Sequence, residues 1–152
     1  MRVLCLSLIL LAALPALSLA QPTPSETWAA RALNQYQLQP DITYLTANGY
    51  EAKLDMYRRR GEPGPFPTLI YIHGGGWVGG SKEAALLYFI PYLAMGWNVV
   101  SVEYRLARVS PAPAAVEDCL CALKWASAQA RRFDIDAARL VVSGESAGAT
   151  SR

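Results

Sequence analysis

The stretch Leu140-Val141-Val142-Ser143-Gly144-Glu145-Ser146-Ala147-Gly148 decides the fold. It joins a short apolar run to a Gly-x-Ser-x-Gly pattern. A continuous apolar run of this kind suits a strand covered on both faces. Glycine two positions either side of a serine suits a sharp strand-to-helix turn. Such a turn forces strained backbone angles on the serine and leaves no room for neighbouring side chains, so its Oγ stands free to attack a carbonyl. Taken alone, the pattern also fits an ordinary Gly-rich turn that opens a helix.

Working outward, Thr68-Leu69-Ile70-Tyr71-Ile72 is a second apolar run, and His73-Gly74-Gly75-Gly76-Trp77 follows it at once. Three glycines let the backbone fold so that its N–H groups point inward. Together with the N–H of Ala147, those of Gly75 and Gly76 can hold the negative oxygen of a tetrahedral intermediate, with Gly74 shaping the loop. Losing one such donor typically costs ~3 kcal/mol of transition-state stabilisation. A phosphate cradle is the competing reading, but the spacing is that of neither a P-loop nor a dinucleotide fingerprint. Trp77 either lines a substrate pocket or simply packs.

Asn98-Val99-Val100-Ser101-Val102 is a third strand candidate. Helical stretches are expected over 82–95 and 112–131. Pro113 suits the first turn of the second, with Glu117 and Asp118 near the positive end of its dipole. Strand, helix, strand, helix, strand implies right-handed crossovers and an α/β fold with a mostly parallel sheet. Ahead of these lie two short alternating stretches, 42–45 and 52–57, with Asn48-Gly49 between them, a strong hairpin signal. Residues 61–67 form a Gly/Pro loop. Residues 21–40 read as a partly helical leading segment, with Trp28, Ala29, Ala32, Leu33 and Tyr36 at approximate helical spacing.

The 152 residues are 53% hydrophobic and 17% charged, with a net charge of +2. This suits one globular domain with a real core. The basic residues are scattered, and Arg58-Arg59-Arg60 reads as a solvated turn, so no nucleic-acid partner is expected. Residues 1–20 read as a signal peptide: Met1-Arg2 is positive, an uncharged apolar stretch follows, and Ser18-Leu19-Ala20 offers a cleavage site. The apolar stretch is too short to span a bilayer, and Gln21 stands where a lipoprotein would need Cys. An exported protein without a stable membrane anchor is expected. Cys119 and Cys121, two apart on a helix, point in different directions and read as packed side chains.

These residues resemble the α/β-hydrolase esterases with a His-Gly-Gly-Gly motif, the hormone-sensitive-lipase-like group with its carboxylesterase and feruloyl-esterase relatives. The likeness covers about residues 41–148. It extends to Leu54-Asp55-Met56-Tyr57, Glu103-Tyr104-Arg105-Leu106 and Val116-Glu117-Asp118. The chain departs from the family at Arg108, where a Pro is usual. The resemblance implies the N-terminal half of an α/β-hydrolase occupying 41–152, with antiparallel N-terminal strands and flanking helices. It implies hydrolysis of a small-molecule carboxylic ester through a serine acyl-enzyme, without metal or cofactor. Ser146 would be the nucleophile; Gly75, Gly76 and Ala147 the oxyanion donors; His73 and Gly74 the loop support; Gly144 and Gly148 the elbow; Arg105 and Asp118 a structural pair.

In that family the elbow is followed by a long helix, more strands, an acid and a histidine, whereas Ala149-Thr150-Ser151-Arg152 follow here. The only histidine is His73, which the resemblance assigns to the oxyanion loop. The chain is therefore expected to be truncated after the nucleophile elbow and, alone, to be inactive and poorly soluble, with an open sheet edge. A non-catalytic binding relative, like the gibberellin receptors, is the alternative reading, and a serine peptidase of the same fold a weaker one.

Overall fold

The computed structural model describes residues 21–150; the expected signal peptide, residues 1–20, lies outside the described residues. The elements run α1 (Pro24–Asn34), β1 (Tyr36–Ala47), β2 (Tyr50–Arg59), β3 (Phe66–Ile72), α2 (Leu86–Ala94), β4 (Asn98–Val102), α3 (Ala114–Ala128), β5 (Ile135–Gly144) and α4 (Ala147–Thr150). One five-stranded sheet has the order β1-β2-β4-β3-β5. β4, β3 and β5 are parallel neighbours, while β1 and β2 join antiparallel on the β4 side. The fold class is the α/β architecture the sequence implies.

The apolar runs of β3 and β4 are continuous because these strands alternate between two covered faces, whereas β5 at the sheet edge is less covered and leaves Val141 exposed. Leu69 and Tyr71 of β3 and Val99 of β4 turn to one side, where Phe89, Ile90 and Leu93 of α2 and Ala32 of α1 meet them. Ile70, Val100 and Val102 turn to the other, against Ala122 and Ala126 of α3 and against Phe133. Nearer the carboxyl ends of the strands, Ile72 packs with Tyr104, Leu106, Ala115 and Cys119. This two-sided burial of branched and aromatic side chains is the main favourable term for the domain.

The hairpin turns at Asn48 and Gly49, both at positive φ (51° and 79°), as a type I′ turn requires. Its strands are longer than the alternating stretches suggest, pairing from Tyr36↔Arg59 to Ala47↔Tyr50. The pattern is broken by a register shift between Gln39 and Ile42. There Pro40 has no N–H for the ladder, Asp41 sits at φ 56°, and the Asp41 N–H turns to Asp55 Oδ1 at 2.9 Å. Tyr36 is therefore a strand residue, not the last of a helical stripe. It is buried, and its hydroxyl donates to the Leu93 carbonyl at 2.8 Å. α1 ends ahead of it and is opened by a reciprocal box: Thr23 Oγ1 accepts from Glu26 N–H, and Thr23 N–H donates to the Glu26 carboxylate.

Three further expectations are corrected. The helix over 82–95 begins at Leu86, because Lys82 commits its N–H to Glu103 and its carbonyl to Ser101 Oγ. The helix over 112–131 spans Ala114–Ala128, with Pro113 as its N-cap residue rather than in its first turn. The basic run is no solvated turn: Arg58 and Arg59 belong to β2. Arg59 pairs with Glu62 at 2.7 Å and lies over the Phe66 ring, and Arg58 lies 3.4 Å from Asp134.

The two cysteines of α3 are unpaired, Cys119 buried and Cys121 partly exposed. Burial, aided by the Asp118 charge, pushes the Cys119 thiol up to about 12, so almost no thiolate exists there at neutral pH. A thiol reagent at about pH 8 should modify Cys121 in the folded protein and reach Cys119 only on unfolding. Peptide mass mapping reads this directly, and equal labelling of the two would contradict the packing described.

Candidate active site

β3 and β5 run parallel in register, with Tyr71 opposite Ser143 and Ile72 opposite Gly144. Both carboxyl ends therefore stop at one level, and the segments that leave them meet. A Cβ on Gly144 would lie 2.5 Å from the Ile72 carbonyl oxygen and 2.8 Å from the Gly148 carbonyl carbon. A Cβ on Gly148 would overlap the Ile72 oxygen and lie 2.8 Å from that of His73. The elbow thus sits directly on the backbone of the His-Gly-Gly-Gly segment. From the other side, a Cβ on Gly74 would come within 3.0 Å of Glu145.

Ser146 holds φ 49°, the left-handed region that costs a non-glycine residue of order 1 kcal/mol or more. It is exposed, while Ala147 and Gly148 are buried. Gly148 N–H and Ala149 N–H bond back to the carbonyls of Glu145 and Ser146 at 2.8 and 3.0 Å, opening α4 directly behind the serine.

The loop after β3 reverses through Gly75 (φ 121°), Gly76 (φ 60°) and Trp77 (φ 61°). The Gly75 carbonyl accepts from Val78 and Gly79, and a Cβ at Gly75 would strike the Gly79 carbonyl. Gly75 and Gly76 are exposed at the same end of the sheet as Ser146. The Trp77 carbonyl accepts from Ala107 N–H at 2.7 Å, which ties the loop to the segment after β4.

His73 is buried at the base of this loop. Its Nδ1 lies 2.7 Å from the Gly74 carbonyl; a carbonyl only accepts, so Nδ1 carries a proton. The ring stacks on Tyr104 at 4.4 Å, and the Tyr104 hydroxyl donates to the His73 carbonyl at 3.0 Å. The imidazole is bound into the loop by these contacts.

Arg105 and Asp118 form a buried bidentate pair. Arg105 Nε lies 2.9 Å from Oδ2 and Nη2 lies 2.7 Å from Oδ1. The Arg105 N–H adds a third bond to Oδ2 at 2.9 Å, and Asp118 is fully buried. The Asp118 hydrogen bonds hold the guanidinium above its ordinary range. Removing one partner of such a pair typically costs ~3–5 kcal/mol, because the other charge is left buried alone. The pair fixes the chain after β4 to the start of α3. Between these segments and the loop lies a cavity of about 390 Å³, lined by Gly76, Trp77, Arg105, Ser110, Val116 and Thr150 among others. It adjoins both the Gly-rich loop and α4. Trp77 lines it.

Sequence reasoning missed a second buried ionic group. Lys82 is buried, with Nζ 2.8 Å from Asp55 Oδ1, 3.1 Å from Asp41 Oδ1 and 2.5 Å from Glu83 Oε1. Desolvation works against the ammonium, but the hydrogen bonds to Asp55, Glu83 and Asp41 outweigh it and raise the lysine above its usual value. The hydrogen bond from Lys82 holds Glu83 down at about 2. Asp55 carries the one readable signal, a carboxylate between the buried residues Leu54 and Met56. Lys82 carries none, since a lysine at the start of an expected helix reads as surface.

The close approach gives a direct test. Gly148→Ala places a methyl on the carbonyl oxygens of Ile72 and His73, so the protein should lose its cooperative melt or aggregate. Gly76→Ala, where a Cβ meets nothing within 4 Å, should melt within a few degrees of wild type, the residual cost coming from its positive φ. Circular dichroism melts of both variants decide it; an equally mild effect at both positions contradicts the contact.

The arrangement has known counterparts. The family model described as BD-FAE matches residues 54–150. The carboxylic ester hydrolase LipN of Mycobacterium tuberculosis (strain ATCC 25618 / H37Rv) is 37% identical over 116 residues, 74% of this chain and 31% of LipN. Esterase LipW from Mycobacterium marinum superposes with a TM-score of 0.69 at 33% identity, over 81% of this chain and 39% of that one. The hyperthermophilic esterase from Pyrobaculum calidifontis gives 0.67 at 34% identity, over 82% and 41%. The chain thus spans less than half the length of each of these relatives. The matched region takes in β3, β4 and β5, both glycine motifs and the Arg105–Asp118 pair, and the chain belongs to the BD-FAE family of hormone-sensitive-lipase-like α/β-hydrolases.

Proposed function

We propose that the whole protein hydrolyses small carboxylic esters through an acyl-enzyme on Ser146. The observation that carries this reading is the contact of the elbow with the Gly-rich loop, through Gly144 and Gly148 on the Ile72 and His73 carbonyls. Ser146 Oγ attacks the ester carbonyl carbon and gives up its proton to a base. The amides of Gly75, Gly76 and Ala147 stabilise the oxygen as it becomes negative. The alcohol leaves protonated, and water releases the acid by the same route in reverse. The apolar cavity beside Gly76 and Trp77 offers room for one arm of the ester.

His73 is not the base in this scheme, since its ring is buried in the loop, with Nδ1 on the Gly74 carbonyl and its face on Tyr104. No other histidine is in the sequence, so the base and its orienting carboxylate are assigned to the rest of the whole protein. The left-handed turn at Ser146 fits the strand-to-helix elbow on which the catalytic reading is built.

A panel of nitrophenyl esters tests this with the whole protein. Ser146→Ala should lower kcat by at least ~10³-fold with little change in KM, and the 152-residue chain alone should show no turnover above that variant. Activity that survives Ser146→Ala removes the proposal. Export is proposed on the residues 1–20 alone, and N-terminal sequencing of the mature protein should begin at Gln21; an intact Met1 counts against it.

A further inference from the structure

The Gly-rich loop begins at His73 and ends at Lys82, and a single carboxylate bonds the second end and faces the first. Glu103 Oε2 accepts the Lys82 N–H at 2.9 Å and lies 3.8 Å from His73 Nε2. That nitrogen is buried and has no hydrogen-bond partner among the described residues. The two ends also touch directly: a Cβ on Gly80 would lie 2.5 Å from His73 Nδ1. Lys82 is held in turn on the sheet. Its carbonyl accepts from Ser101 Oγ at 2.8 Å, and its ammonium is gripped by Asp41 and Asp55 of the hairpin.

Glu103 is well placed to be the fixed point. It follows β4 directly, with its N–H on the Lys53 carbonyl at 3.0 Å and its carbonyl on the Tyr44 hydroxyl at 2.7 Å. Its backbone is therefore locked to β1 and β2 while its side chain faces the loop. We propose that Glu103 is a positioning residue that anchors the end of residues 73–82 beside their start and so sets where the Gly75 and Gly76 amides point. Its catalytic meaning rests on the ester-hydrolase reading; its structural meaning does not. Oriented donors lose value quickly when displaced, since a shift of about 1 Å can cost ~10²-fold in rate.

Two conservative variants separate the parts. Glu103→Gln keeps an acceptor oxygen at the same reach. Glu103→Asp keeps the charge but shortens the arm by one methylene. Amide hydrogen exchange over residues 74–80 should rise ~10-fold or more in Glu103→Asp, with β3 and β4 unchanged, and stay near wild type in Glu103→Gln. In the whole protein, Glu103→Asp should lower kcat by ~10–100-fold with KM within ~3-fold, and Glu103→Gln should recover most of it. Unchanged loop exchange in Glu103→Asp, a rise shared equally with Leu69 and Val100, or Gln no better than Asp overturns the proposal. Exchange is read without substrate. An inactive wild-type protein therefore removes the ester-hydrolase reading and leaves the exchange result to judge Glu103.

Discussion

The register of two parallel strands governs everything at this end of the molecule. Ile72 lies opposite Gly144, so the chain leaves both strands at the same height and in the same direction. Parallel strands place their carboxyl ends on one edge, which is where open α/β sheets carry their sites. What is particular here is how near the two exits come. The Ile72 oxygen occupies the space of a Cβ at both Gly144 and Gly148. A slip of one residue would turn every β5 side chain to the opposite face and separate the serine from the loop. Glycine at these two positions is therefore a packing requirement before it is a catalytic one.

Around that contact the fold uses charge where it needs direction rather than cohesion. Arg105–Asp118 joins the exit of β4 to α3, and Lys82–Asp55 joins the end of the Gly-rich loop to the hairpin. Burying an ion pair often adds less stability than an apolar pair of equal volume. What it adds is geometry: a guanidinium fork accepts a carboxylate in one plane, and an ammonium gripped by three carboxylates cannot slide. Both pairs act on irregular segments, where no ladder of backbone hydrogen bonds would otherwise fix the chain. The apolar clusters hold the sheet to its helices; the ion pairs hold the loops to the sheet.

Much of this was legible in the sequence, for a reason that also marks its limit. The runs at 68–72 and 98–102 announce strands because burial on both faces allows no polar alternation, and the run at 140–142 is a strand although Val141 is exposed. The Asn48-Gly49 turn announces itself through its positive φ angles, and the two glycine motifs do so through steric need. These are local constraints that one short window of sequence expresses. The misreadings are where distant residues decide. Tyr36 has helical spacing but is claimed by the Leu93 carbonyl. Residues 82–85 have helical composition, but Glu103 and Ser101 take the backbone groups a helix would need. Arg58 and Arg59 read as a turn because their partners Asp134 and Glu62 lie outside the run. The place of Glu103, bonded to Lys82 and facing His73, has no local signature, since it depends on β4 and β3 being neighbours.

The same distinction explains how the chemistry is divided. Stabilising an oxyanion uses backbone N–H groups, which every residue but proline carries, so the site needs only the right fold of the chain and the glycines that permit it. In the reading proposed above, that part falls to residues 72–80 and 144–148, which one pair of strands brings together. Proton transfer is different in kind. It needs a side chain with a suitable pKa at hydrogen-bond distance from Ser146 Oγ, and register alone cannot create one. His73, the one imidazole in the sequence, has been drawn the other way: stacked on Tyr104, bonded to Gly74 and facing Glu103, it is part of the frame that holds the amides. An imidazole held in place by such contacts is poorly suited to swing and exchange protons, so a proton-transferring group has to come from elsewhere than the loop.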